Sequence, residues 1–464
     1  MARGVVSLSV KKSPTSLPAT EPKILQMLFE VLKTNEEISD SLHSGNLLNF
    51  ETHLRACFQS LQSQVSQLLL EDYCEQELDS LAAHYSSEDY NRFQKSTTRF
   101  RISTGSVLRL PDLYARHCSE DLPSGHRNVL QRHFSIIGGS SPLCYSLIGL
   151  SAVACPSYDT ANELLSSYNL HQSVTRVRNV ANALGDFCQG NEAFLIHEKQ
   201  ETLSEKSVLI AIDGGRCRSR EYNKGRNQAG HLLFSTDWRE PKLFVIQVFN
   251  QDGSFDKEHR CVYGGRFGEE RFWESLGNIL QSLKIDLACR VQIAADGAQW
   301  IWDKVADFLA KLGVAKNKII QTLDYYHASS YLHHLIESIP KTLNNKARQQ
   351  FKTAATNLIW AGKSTQAVQQ IKAFIKRPNQ EQQRWMNYLS KHQHRMQYAH
   401  FKANGLACGS GIIESGIRRV INLRFKNTGT FWDIATLEKL IFLRGAYLSG
   451  RWNTLIKNIV TQVF

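Results

Sequence analysis

The chain has 464 residues, 42% of them apolar, enough to fill the cores of about three domains of ordinary size. It contains no apolar run of about 18 residues, and its start, MARGVVSLSVKK, lacks the apolar centre of a signal peptide, so no membrane partner and a cytosolic (nucleoid-associated, if prokaryotic) or nuclear location are expected. The net charge of +12 is uneven: residues 341–464 carry 20 Lys+Arg against 4 Asp+Glu, which points to a polyanionic partner or to a soluble basic helical region without one.

The first 20 residues, with two prolines and several serines, read as a loose tail. From Lys23 the pattern is helical. Leu54, Phe58, Leu61, Val65 and Leu68 recur at alternating spacings of four and three, the stripe of a core helix or of a short coiled-coil seam. Residues 1–94 are therefore an N-terminal helical region with a potential oligomerisation face. TTRFRIS and SVLRL alternate like strands about a Thr-Gly turn and mark a small β and loop segment over 95–140. Residues 141–200 return to helix. SYDTANELLSSYN, the short turn NLHQ, and SVTRVRNVANALGDF opened by Ser173 have helix-turn-helix spacing, with Thr175, Arg176 and Arg178 on the second helix. Plain packing of two helices accounts for the same pattern.

Beyond residue 205 the texture becomes β-rich. SVLIAID is a buried central strand, with HLLFS and KLFVIQVF its antiparallel continuation through DWREP. GEERFWESLGNILQSL reads as a helix, RVQIAAD as a fourth strand, WDKVADFLAKLG as a helix closed by Gly313, and KIIQTLD as a fifth strand. Residues 205–330 thus form an α/β unit with a mixed five-stranded sheet. A basic, Gln-rich helical stretch over 331–405 and C-terminal helices over 406–464 follow. The 10 cysteines include no CxxC pair, so they read as mostly reduced, buried thiols.

Asp213 ends the first of these strands and Asp296 the fourth. If the two strands are neighbours, both carboxylates stand at one sheet edge. There a buried acid is costly unless paired or bound to a cation. Each is followed by small residues, in IDGGR and ADGA, which admit a bulky phosphate; a lone Asp-Gly would otherwise mark a turn. Glu414, in GSGIIESGIRR, is the third acid of the pattern. By itself, with Arg418 four residues on, it would be an ordinary helix-surface pair. Three carboxylates sharing two divalent ions are what in-line phosphodiester chemistry requires, and an all-oxygen donor set suits Mg²⁺ or Mn²⁺. Arg216, Arg218 and Arg220 follow Asp213 and either neutralise phosphates or form a solvated charge run.

The motifs AIDGGRCRSR, AADGAQWIW, LDYYHASSYL and GSGIIESGIRRVINLRFKNTGTFWDIATLEKLIFLRGAYLSGRW resemble those of insertion-sequence DDE transposases of the ISKra type, within the RNase H-like nucleotidyl transferases. The likeness covers residues 95 to 455 or so. It implies an RNase H-like mixed sheet interrupted by an all-helical insertion, with Asp213, Asp296 and Glu414 as catalytic triad and ligands of two Mg²⁺ or Mn²⁺ ions. The implied activity is cleavage and strand transfer at the ends of the protein's own element. The implied partners are double-stranded DNA, both terminal repeats and target, and further copies of the chain that pair the two ends. Asp324 and His327 match the DxxH that such transposases carry after the fifth strand, which implies an accessory place beside the active site; Asp324 is equally a helix cap.

Arg418, Arg419, Arg424 and Lys426 fall in the same block and are expected at the DNA backbone. Trp432 either stacks on DNA or fills the core. Relatives often carry paired cysteines for a small zinc site after the N-terminal strands. Here only His117, Cys118, His126 and His133 stand there, irregularly spaced, and zinc is not expected. A domesticated DNA-binding protein or a host nuclease of the same fold would carry the same residues.

Overall fold

In the computed structural model, residues 21–33, 36–87, 90–117, 128–188, 203–339 and 344–463 are described. They fall into two compact units: one extends to Leu147 and includes Ser166–His171, the other comprises Ile148–Leu165 and Gln172–Val463. No helix among the described residues is long and apolar enough to cross a membrane.

In the first unit, α1 (Glu21–Lys33) and α2 (Glu36–His43) pack on the long α3 (Leu47–Ser87). The hairpin of β1 (Tyr90–Arg101) and β2 (Val107–His117) turns at Gly105, whose φ of +91° suits glycine, as the Thr-Gly signal predicts. Phe100, Leu108 and Leu110 of the hairpin close a core with Cys74, and Leu70, Leu78 and Leu81 of α3 press against it. This stripe differs from the expected one. Phe58 is exposed and Leu61 alone of the five proposed positions is buried, because the packing face lies further along the helix, where the hairpin covers it. Asp112 is buried and satisfied: it accepts the Thr98 hydroxyl at 2.5 Å and the N–H of Leu130, in α4 (Val129–His133), at 3.0 Å. Of the four weighed zinc ligands, His133 Nε2 lies 2.8 Å from the Tyr73 hydroxyl. Cys118, His126 and the His117 side chain lie outside the described residues.

The helix α5 (Pro142–Ala154) belongs to the second unit from Ile148 on, as do α6 (Tyr158–Ser166) up to Leu165 and α7 (Val174–Cys188). As predicted, Ser173 caps α7, its hydroxyl accepting the Arg176 N–H at 3.1 Å. Then follow β3 (Ser207–Gly214), the hairpin of β4 (Cys217–Arg226) and β5 (Leu232–Arg239), β6 (Lys242–Phe249), β7 (Val262–Arg266), α8 (Glu269–Ser282) and β8 (Arg290–Ala295). Two short helices, α9 (Gln299–Trp302) and α10 (Val305–Lys311), precede β9 (Ile319–Leu323). The helices α11 (Tyr325–Glu337), α12 (Asn345–Trp360), α13 (Ser364–Lys372), α14 (Gln380–Lys391) and α15 (Tyr398–Ala403) come next. The chain closes with α16 (Gly411–Ile417), a π-helical turn over Arg418–Asn422, α17 (Leu423–Phe425), α18 (Ile434–Leu448) and α19 (Trp452–Val463).

The sheet has five strands in the order β7-β6-β3-β8-β9. β3, β8 and β9 are parallel, while β6 runs antiparallel to β3 and β7 to β6. This mixed α/β arrangement is compatible with an RNase H-like core. One expected strand is replaced. HLLFS falls in β5, which pairs with β4 in a separate, exposed hairpin, and the fifth place in the sheet goes to VYGGR of β7. Five residues with two glycines look like a turn in sequence; β7 nonetheless is buried throughout.

Alternation places helices on both faces. Ile212 pairs with Phe244, whose ring meets Phe272 of α8 at 5.8 Å. On the opposite face Ala211 pairs with Val245, and α16 lies so close that a Cβ at Gly416 would strike the Val245 side chain. The α18 helix packs on β7 and on α7.

Candidate active site

Register creates a row of acids. Ile212 of β3 aligns with Ala295 of β8, and Ala295 with Leu323 of β9, so the next position on each parallel strand is an aspartate: Asp213, Asp296 and Asp324. Adjacent strands lie about 4.8 Å apart, which brings the first two carboxylates to one short stretch of sheet edge. By alternation Asp213 shares the face of Ala211, the face that α16 covers.

The row is electrostatically uneven. Burial is the largest influence on Asp213 and pushes its carboxyl up to about 6; Asp296 and Glu240 add to the rise, while the Gly214 N–H and His327 oppose it. That N–H bonds Asp213 Oδ1 at 2.7 Å. Asp296 Oδ1 accepts the Ala298 N–H at 2.9 Å, and its backbone carbonyl accepts the Trp302 indole N–H at 2.6 Å. Asp324 is the most buried of the three. One oxygen caps α11 through the His327 N–H at 3.0 Å, and the other accepts the Ser410 N–H at 2.6 Å and the Ser410 hydroxyl. Both oxygens are thus engaged in holding helices in place.

A cleft of about 520 Å³ opens beside Asp296, between Gly297–Gln299, α11 and α14. The α14 helix starts at a reciprocal capping box, Asn379 with Gln382, and presents Arg384, Asn387, Tyr388 and Lys391 to the cleft. The Tyr388 ring packs so tightly over Gly297 that any Cβ there would collide with it. Burial raises the Tyr388 phenol pKa, and Asp296 adds to the effect. The Nδ1 of His327 is buried without a hydrogen-bond partner among the described residues. Behind this wall, the Arg395 guanidinium lies 4.5 Å from the Trp302 ring centre and donates to Gln321 at 2.7 Å. Asp296 facing a wall that carries Arg384 and Lys391 suits a polyanionic substrate that reacts at an atom held near the acid.

The other predicted site residues are dispersed. Glu414 is exposed on α16, and no three Asp, Glu, His or Cys side chains among the described residues are gathered closely enough to hold an ion. The pair therefore fits a divalent cation in donor type, while the third ligand is not assembled with it. Thr175 and Arg178 stand on the exposed face of α7 and Arg176 is half-buried. Arg216, Arg218 and Arg220 lie on or next to β4, Arg216 exposed 3.9 Å from Glu240. Arg418, Arg419 and Lys426 are exposed, with Arg419 donating to the Tyr263 hydroxyl at 3.2 Å.

Arg424, expected at the DNA backbone, is instead buried, and Trp432 takes the second of its two expected roles and fills the core. Arg424 donates to the carbonyl of Pro156 at 2.9 Å and stacks 5.1 Å from the Trp432 ring. Trp432 donates its indole N–H to the Phe425 carbonyl at 3.3 Å and packs edge-on against Phe425. Its backbone exchanges hydrogen bonds with Arg218 and Arg220, fastening the base of the β4–β5 hairpin.

Sequence reasoning missed the cleft wall and Glu240. In RWMNYLSK, Arg384, Tyr388 and Lys391 follow a spacing of four and three, so one helix face was legible, although its neighbour was not. Glu240 sits in the DWREP turn that begins β6, and only the antiparallel pairing of β6 with β3 brings it to Asp213.

No protein-family model matches the chain, and no curated protein matches it. Among solved structures, a chain of the Drosophila P element transposase strand transfer complex is similar at 13% identity and a TM-score of 0.23, over 72% of this chain and 85% of that one.

Proposed function

We propose that this chain is a DDE transposase of the insertion-sequence kind, which cleaves DNA at the ends of its own element and transfers the freed strands to a target. The observation that carries the reading is the pair Asp213 and Asp296 on adjacent parallel strand ends, with Asp296 lining a cleft walled by Arg384 and Lys391. In this reading the fold is RNase H-like, and the helices over 331–405 are an insertion that supplies the cleft wall.

Asp213 and Asp296 would hold a divalent cation, Mg²⁺ or Mn²⁺, which when bound neutralises phosphodiester charge and activates the attacking oxygen. The carboxylates are hard oxygen donors, and a cation would relieve the cost that burial and Asp296 impose on ionised Asp213. Glu414 is the proposed third carboxylate. Its helix covers the right face of the sheet, and reaching the pair requires α16 to shift; the π-helical turn that follows is a place for such a shift. Arg384 and Lys391 would hold phosphates, and the Tyr388 hydroxyl and the unpartnered His327 Nδ1 would meet the substrate's polar atoms. Thr175 and Arg178 of α7 are proposed to read the element ends, with a second copy pairing the two ends.

The test is to incubate the purified protein with Mg²⁺ and DNA carrying both flanks of its gene, and to map strand breaks and joined products. Breaks at fixed positions near both ends, absent with Asp296→Asn, are expected. Products no different from that variant's would end the reading.

A further inference from the structure

The β4–β5 hairpin stands apart from the sheet, and its two faces differ in chemistry. Cross-strand partners share a face, and the register pairs Arg218 with Trp238, Arg220 with Thr236 and Tyr222 with Phe234. The Arg218 guanidinium lies 5.2 Å from the Trp238 ring centre, that of Arg220 5.1 Å from Tyr222, and Tyr222 meets Phe234 edge-on at 6.5 Å. The next position over holds the acids: Glu221 and Asp237 both pair with Arg239, at 2.7 and 3.5 Å. Negative charge is thus neutralised on one face, while the other interleaves cations with rings.

Those rings are open to solvent: Tyr222 is 53% exposed, Phe234 42% and Trp238 52%. Exposed aromatics are costly to leave in water, and arginines beside them make the face a poor match for an apolar protein surface. A polyanion that also carries flat apolar rings meets both demands. Paired bases in a duplex offer only their edges in the grooves, whereas unpaired bases offer their faces.

We propose that this face of the hairpin binds single-stranded DNA, stacking unpaired bases on Tyr222, Phe234 and Trp238 while Arg218 and Arg220 hold the neighbouring phosphates. It deepens the proposed function and rests on that reading only for the choice of DNA. The role differs from charge neutralisation at the catalytic edge, because the rings carry the selectivity.

The experiment measures fluorescence anisotropy in EDTA, so that cleavage plays no part and a failed catalytic assignment leaves the result readable. The probes are a labelled oligothymidylate, a strand of equal length with abasic sites in place of bases, and a blunt duplex. The wild type should prefer oligothymidylate over the abasic strand. Changing Tyr222, Phe234 and Trp238 together to Ala should lower oligothymidylate affinity at least about tenfold and leave the abasic strand and duplex within about twofold. Trp238→Phe should retain most of the binding, and Arg218→Gln should weaken both single strands alike. Phe234 also packs on Phe431 at 5.6 Å, so a small drop in melting temperature should accompany the triple change, and each variant should remain folded at the assay temperature. Equal losses on all three probes, or no preference for bases in the wild type, would overturn the proposal. So would a wild-type dimer that the triple change converts to monomer with DNA affinity intact, since that would make the face a contact between copies.

Discussion

Ser410 donates its backbone N–H, at 2.6 Å, and its hydroxyl to the same carboxylate oxygen of Asp324. Asp324 follows β9 and Ser410 immediately precedes α16, so this contact joins the edge carrying the aspartate row to the helix carrying Glu414. The other Asp324 oxygen caps α11, which lines the cleft. Its role is therefore to position. Ser410→Ala should cost about 1–2 kcal/mol, and Asp324→Asn about 2–3 kcal/mol because an amide group then faces buried donors. Urea denaturation measures both; a cost near zero for both would remove the joint from the account.

Two glutamates are candidates for the third place in the proposed carboxylate set. Glu414 occupies the helix over the correct face, whereas Glu240 already raises the Asp213 pKa. If α16 shifts to complete the set, Glu414→Gln should abolish Mg²⁺-dependent cleavage and leave the fold intact, while Glu240→Gln should retain at least about a tenth of the rate. Comparing the two single-turnover rates decides it, and the opposite ranking would give the place to Glu240.

The cleft wall should contribute to DNA affinity through charge. Arg384 and Lys391 are exposed, so replacing both with Gln should leave stability within about 0.5 kcal/mol. Each lost phosphate contact should flatten the dependence of log affinity on log salt by about 0.7–0.9. An unchanged slope would mean that DNA does not enter the cleft.

Acid should weaken the same wall. Burial, then Arg395 beside it, holds the His392 pKa down to about 4, below the value of about 6.5 in an unfolded chain. Between those values the unfolded chain binds the proton and the folded one does not, so stability falls as the pH drops. The contribution is complete above pH 6.5 or so and should diminish by about 1–3 kcal/mol toward pH 4. Denaturation of the wild type and His392→Gln across that range should show a flatter curve for the variant; parallel curves would assign the acid sensitivity elsewhere.

Much of the sheet was legible because strands such as SVLIAI are continuous, apolar and β-branched, so burial on both faces is written into composition. The aspartates at their ends followed directly. The edge strand VYGGR was hidden, since its glycines carry no β propensity and its burial comes from α8 and α18, far along the chain. Trp432 and Arg424 illustrate the same limit. Their residue types suit DNA contact, and only the tertiary packing of Phe425, Tyr158 and the β4 backbone turns them inward. Long-range partners also explain Asp324: its cap on α11 was readable from local spacing, whereas its bond to Ser410 spans 86 residues.

The Asp213 and Asp296 pair predicts a metal response separable from catalysis. At pH 7.5 in EDTA, Asp213→Asn removes a buried charge that lies beside another acid and should raise the melting temperature above that of the wild type. Adding Mn²⁺ should then stabilise the wild type more than the variant, by calorimetric melting. Equal metal-induced shifts in the two proteins would exclude Asp213 as a ligand.

The central claim is that Asp213 and Asp296 together form the centre that breaks DNA strands. The most direct test is the single-turnover cleavage rate of Asp213→Asn and Asp296→Asn on DNA carrying the flanks of the gene, alongside the affinity of each for that DNA. Both changes preserve side-chain shape. The account predicts that either lowers the rate at least about a thousandfold, near 4 kcal/mol of barrier, with DNA affinity retained. Cleavage by either folded variant within about tenfold of the wild-type rate would contradict it.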